Sequence, residues 1–589
     1  MMRTAFLALA ISFGAAASPN IARVTPLGGQ AGTVVEVEIT GKDLAGFQTA
    51  SFDTTDLEWI ESIETKAESV RGKIRIKANA ALGPHRIQAR TIQGPSNTRL
   101  FNVHEFPGVN EVEPNDKWTS AQPIELKPQV VHGYMKGLAD VDRFTFTARK
   151  GERWLFDVQS IERGGFLECS LTLYDETGRE IAFNEDQDEY LETPRLSVNF
   201  PASGRYAVKL DQYRGPQGVA CSDNCGYAMY LSQLPVVTGI FPLGARPGNK
   251  YIVRIHGEAL QTVTGAYMQR ARGAEHYRLT FPFSIPLDGS DKELARIEAT
   301  KISASGQQAE AAFEIPASAR PGLWRLWLKT PNGAAEAMTI EIDEDRAAVD
   351  AVLGENNSHP VTLEAGKPFH AWTLATQLGL PLIDTVLELW GEDGKLLAEH
   401  DDLMTGQGTV IGNPDSSLYY NPVKPERARI TVRDRTNRTG PTFAYRLHIE
   451  SAEPSFQLLA EPEALSILPG GEATLEALLI KQPGFDKAVD VWIEGLPPGF
   501  EAVKGRFRSD QHFGPSGDGD NVNIPIVPLR IKAPSAISPG DYPIRVRGRA
   551  AGESGPIVEG FTTLSIGPDG KRNDTRRPLP AINIHVAGR

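Results

Sequence analysis

The sequence predicts an all-β protein built of tandem antiparallel β-sandwich domains. Three observations carry this. Short runs alternate apolar and charged residues at period two, as in Val34-Val35-Glu36-Val37-Glu38-Ile39 and Tyr251-Ile252-Val253-Arg254-Ile255. That pattern suits a sheet with one wet face. Turn-forming residues punctuate the runs, and helical periodicity is scarce. At 589 residues the chain exceeds one core, so several domains of about 100–150 residues are expected.

An internal repeat orders those domains. Pro26-Leu27-Gly28, Gly32, Gly41 and Leu44 return 216 residues later as Pro242-Leu243-Gly244, Gly248, Gly257 and Leu260. Leu173-Tyr174-Asp175 with Gly178 returns at the same offset as Leu389-Trp390-Gly391 with Gly394. One offset in two places indicates a duplicated two-domain unit. The expected organisation is a signal peptide over 1–17, then sandwiches over 18–105, 106–234, 235–342 and 343–450. A fifth sandwich over 451–589 includes a flexible basic segment around Lys571-Arg572.

Each element has a local reason. Met1-Met2-Arg3-Thr4 followed by an apolar run to Ala17 reads as a secretory signal, the alternative being a buried helix. No later apolar run approaches the ~20 residues that span a bilayer. The product is therefore expected to be secreted, periplasmic or on a bacterial surface. In each unit's first half, Gly83-Pro84-His85-Arg86-Ile87 and Gly322-Leu323-Trp324-Arg325-Leu326-Trp327 read as strands that end at the turn glycines Gly94 and Gly333. Trp324 and Trp327 fall on opposite strand faces, so one belongs to the core and the other to the surface or a domain contact.

Net charge is −13, which disfavours nonspecific nucleic-acid binding because that rests on basic patches. Three cysteines are too few for a disulfide-built fold. Cys221 and Cys225 suit a small loop in an oxidising compartment, with Cys169 left over or taking one of them instead.

The chemistry concentrates at Glu111-Val112-Glu113-Pro114-Asn115-Asp116, followed by Asp140 and Asp142. Hard cations take six to eight oxygens from carboxylates, amides and carbonyls. Glu111, Glu113, Asn115, Asp116, Asp140 and Asp142 are the candidate ligands of a structural calcium ion. The competing reading is a solvated acidic linker. Asn184–Glu189 and the loop around Asp518 and Asp520 are weaker candidates, since acidic runs are commonly solvated turns.

The first half of each unit resembles the immunoglobulin-like family of plexins and some transcription factors. Pro26-Leu27-Gly28 with Gly32 and Gly41, and Thr330-Pro331-Asn332-Gly333, carry the likeness. The second half of the first unit resembles the bacterial pre-peptidase C-terminal domain. Glu113-Pro114-Asn115-Asp116, Asp140-Val141-Asp142-Arg143-Phe144, Leu173-Tyr174-Asp175 with Gly178, and Ser203-Gly204-Arg205-Tyr206 carry that one. It implies a β-sandwich attached to secreted enzymes or surface proteins, with calcium held through the acidic linker in some members. The second copy lacks the Glu-Pro-Asn-Asp run, with Gly354-Glu355-Asn356-Asn357 standing there, which puts its calcium site in doubt.

No Gly-x-Ser-x-Gly nucleophile turn is present. His104 and His132 flank the linker without zinc-motif spacing and read as surface or packing residues. Paired carboxylates for sugar cleavage converge only in space. The reading is a non-catalytic modular protein for extracellular binding or surface attachment, its domains spaced as a semi-rigid rod. Its partner is an extracellular protein or polysaccharide. Two further readings stay open: an accessory protein for a separately encoded secreted hydrolase, or a hydrolase in its own right.

Overall fold

The computed structural model describes residues 19–586 apart from 138, 161–166, 188–192, 213–224, 271–294, 345–347, 355–356, 380–382, 402–414, 452–453, 463, 482–484, 512–513, 516–521, 524, 553–556, 566–575 and 580–581. The expected signal segment, Cys221, the end of the Asn184–Glu189 run and the Asp518/Asp520 loop lie outside these. The protein is all-β, and its described helical content is two short 3₁₀ turns, Leu260–Thr262 and Thr376–Leu378.

The first sandwich pairs two sheets. One runs Asn20–Thr25, Val34–Lys42, Ser69–Ile76, Leu57–Thr65; the other runs Gly28–Gln30, Arg99–His104, Gly83–Thr91, Phe47–Phe52. The third repeats this strand order with Val236–Phe241, Lys250–Glu258, Gln308–Glu314, Arg296–Ser305 and Gly244–Ala245, Gly333–Ile342, Gly322–Thr330, Gly265–Arg270, the two halves joined into one eight-stranded sheet where Arg296–Ser305 pairs with Gly265–Arg270. The repeat glycines have a physical cause. Each leading strand carries an irregularity, between Ile21 and Arg23 or between Val237 and Gly239. It drives a carbonyl against the next strand. A Cβ on Gly41 would lie 1.9 Å from the Asn20 oxygen, and one on Gly257 would lie 2.1 Å from the Val236 oxygen. Only glycine fits that approach.

The second sandwich stacks two five-stranded sheets. One runs Gly108–Asn110, Gln129–Tyr134, Gly226–Ser232, Arg153–Gln159, Arg195–Asn199. The other runs Gln122–Pro123, Val141–Ala148, Gly204–Gln212, Cys169–Asp175, Glu180–Asn184. Phe144, Phe156, Leu171, Tyr206, Tyr227 and Met229 fill the space between them. Cys225 is disulfide-bonded, and Cys169 is a thiol buried in this core. The fourth sandwich keeps four strands of each sheet in the same order, without the two leading strands among the described residues. Residues from Phe456 to Val586 form the fifth, around Leu458, Val491, Phe507, Leu529 and Ile584.

Trp324 enters the third core, while Trp327, on the other face, is also buried and stacks on Tyr267 with centroids 6.0 Å apart. The expectation of a rod does not hold. The first sandwich touches the third, where Glu105 accepts from the Ala334 N–H at 3.0 Å. It also touches the fifth, where Arg90 pairs with Asp541. Polar side chains at the sandwich ends reach across domains, so the chain doubles back.

Candidate metal centre

The acidic linker crosses one end of the second sandwich. Its leading strand, Gly108–Asn110, adds in parallel to Gln129–Tyr134, and its trailing strand, Gln122–Pro123, adds in parallel to Val141–Ala148 in the opposite sheet. The connection from Tyr134 to Val141 turns at the same end. Residues 111–116 are therefore strapped above Asp140 and Asp142.

All six sequence-predicted residues meet there, in two adjoining groups. Glu113, Asp116 and Asp140 each present an oxygen within 4.8 Å of the others. Glu113 Oε2 accepts from the Asn115 N–H at 3.0 Å, and Asp116 Oδ1 accepts from the Val141 N–H at 3.3 Å. Asp140 accepts from the Lys136 N–H. In the second group, Glu111 Oε1 accepts from the Tyr134 N–H at 2.8 Å. The Tyr227 hydroxyl lies 2.6 Å from Asp142 Oδ2 and 3.2 Å from Glu111 Oε2. One phenolic proton serves both carboxylates.

Electrostatics mark the cluster as short of positive charge. Burial, then the neighbouring Asp142, pushes Glu111 up to about 9. Burial pushes Asp142 up to about 6. Burial also raises Asp140, helped by Glu113 and Asp116. The cation at hand is Lys136, whose Nζ stands 3.4 Å from Glu113 on an exposed side chain. Asn115 and Asp142 are fully buried, yet Asn115 Oδ1 and Asp142 Oδ1 have no hydrogen-bond partner. The Asn115 amide nitrogen leans on the Asp142 carboxylate without reaching hydrogen-bond geometry. Orphaned buried acceptors are costly. Here they face a set made only of oxygens, which suits a hard divalent ion.

Two residues of the site escape a reading of the sequence. Tyr227 lies 85 residues from Asp142 and looks like an ordinary core aromatic. Gly133 lies opposite it, and a Cβ there would meet the Tyr227 oxygen at 2.1 Å. A glycine facing a tyrosine across a ladder was the available signal. Trp118 closes the strap, edge-on to Tyr174 at 5.1 Å with the Arg143 guanidinium over its ring at 5.5 Å.

The second copy keeps the tyrosine and loses the acids. Tyr445 stands opposite Ala351 as Tyr227 stands opposite Gly133, but its hydroxyl meets His359 Nε2 at 2.7 Å. Asp142 lies opposite Leu210; the corresponding Val432 bonds with the backbone and side chain of Asn357.

A second cluster, unforeseen in the sequence, sits between the third and fourth sandwiches. Glu341, Asp343 and His448 place ligand-type atoms within 4.8 Å of one another. Arg446 already occupies their centre. Its Nε donates to Glu341 at 2.6 Å, its Nη1 to Asp350 at 3.0 Å, and its Nη2 reaches Asp343 at 3.4 Å. His448 Nε2 meets Glu341 at 2.8 Å while its ring stacks on Trp372 at 3.9 Å. Burial, then Glu341, pushes Asp343 up to about 6.

His104 and His132 are buried and bond to each other, Nε2 to Nε2 at 3.1 Å. His104 Nδ1 donates to the Phe106 carbonyl at 2.7 Å. Its Nε2 is therefore the acceptor, and His132 Nε2 donates.

No family model matches the chain. A stretch of 104 residues, 17% of the chain, is 32% identical to a Deinococcus radiodurans protein named "Probable subtilase-type serine protease". It spans 14% of that protein's length. The extracellular region of plexin A4 aligns at 10% identity and a TM-score of 0.13, over 92% of this chain and 50% of that one. A DUF4785 family protein of Legionella pneumophila aligns at 9% and 0.16, over 60% of this chain and 90% of that one.

Proposed function

We propose that this chain is a secreted, non-catalytic modular protein for extracellular binding or surface attachment, with a structural calcium ion in its second sandwich. That sandwich is read as a pre-peptidase C-terminal-like module. The carrying observation is the pair of fully buried oxygens, Asn115 Oδ1 and Asp142 Oδ1, left without partners among four further carboxylates. Glu111, Glu113, Asn115, Asp116, Asp140 and Asp142 would hold the ion. The Tyr227 hydroxyl orients the Glu111 and Asp142 carboxylates. The ion supplies the positive charge that relieves their mutual repulsion and fixes the strap. The disulfide at Cys225 fits an oxidising compartment, in line with secretion.

Thermal unfolding of the mature chain tests this. Calcium should raise the melting temperature, a chelator should reverse the gain, and Asp116→Ala should remove the response. An unchanged melting curve over millimolar calcium rules the site out.

A second reading has one observation in its favour. The similarity to the protease is the size of a single sandwich and covers little of that protein. A module shared in this way suits an accessory or targeting protein for a separately encoded secreted hydrolase. Co-purification of a hydrolase with the secreted chain separates this from free attachment to matrix protein or polysaccharide.

A further inference from the structure

We propose that the fifth sandwich is a releasable clasp on the first, closed by charge, so that the chain passes between a closed and an open form. The proposal is independent of the calcium reading.

The contact joins residues 451 positions apart, Arg90 and Asp541. Arg90 Nη1 donates to Asp541 Oδ2, and His585 Nδ1 donates to Asp541 Oδ1 at 2.7 Å. One carboxylate thus holds a cation from the first sandwich and an imidazole from its own. The side chains of Arg90 and Asp541 keep 35% and 31% of their exposure, so water and salt reach the pair. The hydrophobic clusters of the first and fifth sandwiches share no residue, whereas Trp372, Leu374, Leu378 and Ala444 of the fourth join the core of the third.

The contact is nevertheless shaped. Gly94, at the hairpin tip beside Arg90, holds φ 127°. A Cβ there would lie 2.6 Å from His585 Cδ2 and 2.7 Å from Ser466 Oγ. The same tip in the third sandwich, Gly333 at φ 126°, docks against Glu105, whose carboxylate accepts from Ala334. Both hairpin tips are therefore docking points. They differ in chemistry, because Pro95 stands after Gly94 where Ala334 stands after Gly333. Proline has no N–H to offer a carboxylate. The first tip instead takes the His585 ring and Ser466, which identifies its occupant as the chain's own fifth sandwich.

An exposed ion pair is screened as ionic strength rises, with a Debye length of about 10 Å at 0.1 M and about 3 Å at 1 M salt. The radius of gyration of the full chain, followed by small-angle X-ray scattering, should therefore grow between about 0.05 M and 1 M salt. Arg90→Asp and Asp541→Arg should each give the expanded form at low salt, and the charge-swapped double variant should recover the compact one. Gly94→Val should expand the chain at every salt concentration. Circular dichroism of each variant checks that the sandwiches stay folded, and the unmodified protein's salt titration needs no variant. A radius unchanged across salt and variants overturns the clasp. So does a double variant that stays open, since charge would not then be what closes it. A doubled mass at low salt overturns it as well, because the contact would then be made between copies.

Discussion

The two units join their sandwiches at the same point with different chemistry. Gly28 faces Asn102 and the equivalent Gly244 faces Glu341. His132 faces Ala228 and the equivalent Asp350 faces Arg446. At the first junction these positions carry no ion pair: His104 bonds His132 beside Tyr230 and Phe106, with the Arg23 guanidinium stacked nearby on Tyr134. The second is ionic, with Glu341, Asp343 and Asp350 gathered on Arg446 and His448. A Cβ on Gly244 would lie 1.9 Å from Arg446 Nη1, so the repeat glycine is also what lets the guanidinium in. The first unit keeps its carboxylates outside the junction, under the strap, and among the described residues no guanidinium pairs with them. One unit carries its own cation, and on the proposed reading the other takes one from solution.

Removing Arg446 tests that contrast most severely. Arg446→Ala leaves three carboxylates facing one another with Arg446's charge gone. Breaking a buried charge network in this way costs about 3–5 kcal/mol. Urea unfolding should show a transition for the third and fourth sandwiches at much lower denaturant, with the calcium response of the second intact. If the transition does not move, the junction is held by its apolar seam around Trp372 and Leu374, and charge is incidental.

Calcium gives the next effect, confined to the other unit. Binding to the folded state alone stabilises by roughly 2.7 kcal/mol at a hundredfold excess over Kd. Amide exchange should slow across Gln129–Tyr134 and the strap, and stay unchanged across Val349–Val352. Equal slowing in both would mean that the Glu341 cluster also takes the ion, which would erase the distinction.

The acids of the strap were legible because they are dense in sequence and flank a sandwich with a recognisable strand–turn pattern. The repeat was legible because close backbone approach at Gly41 and Gly257 tolerates no side chain. The Arg446 network was not. Glu341 stands near the end of an apolar strand with Asp343 just past it, and Arg446 and His448 stand two apart on another. Alone, each reads as the wet face of a strand. Only the packing of a second sandwich over both makes them interior. His104 and His132 hid in the same way, 28 residues apart and bonded only once the first two sandwiches meet.

Tyrosine substitutions sharpen the comparison with a smaller effect. Tyr227→Phe strips Asp142 Oδ2 of its donor and should cost about 1 kcal/mol without calcium. It should also shift the calcium midpoint, because Glu111 and Asp142 lose the hydroxyl that orients both. Tyr445→Phe removes the bond to His359 at a similar cost, but leaves the calcium midpoint where it was. A midpoint moved by Tyr445→Phe would place the ion in the wrong copy.

A last pair of effects should run in opposite directions with pH. Burial, then His104, lowers His132 to about 3. Its unfolded form protonates near 6.5. Between those values the unfolded chain binds the extra proton, so the first junction weakens as pH falls from about 6.5 toward 3. Asp343 has the reverse sign. Its folded value near 6 lies above the ordinary 3.8, so the folded chain holds the proton more tightly. Stability from that group is complete below about pH 4 and is lost as pH rises through 6. Amide exchange corrected for intrinsic rate, followed from pH 4 to 7 with Glu111→Gln and Asp142→Asn in place so that the raised acids beside Tyr134 do not oppose the histidine, should show Gln129–Tyr134 gaining protection as Val349–Val352 loses it. Parallel slopes would mean that one global opening governs both junctions, and that the histidine and ionic designs do not act separately.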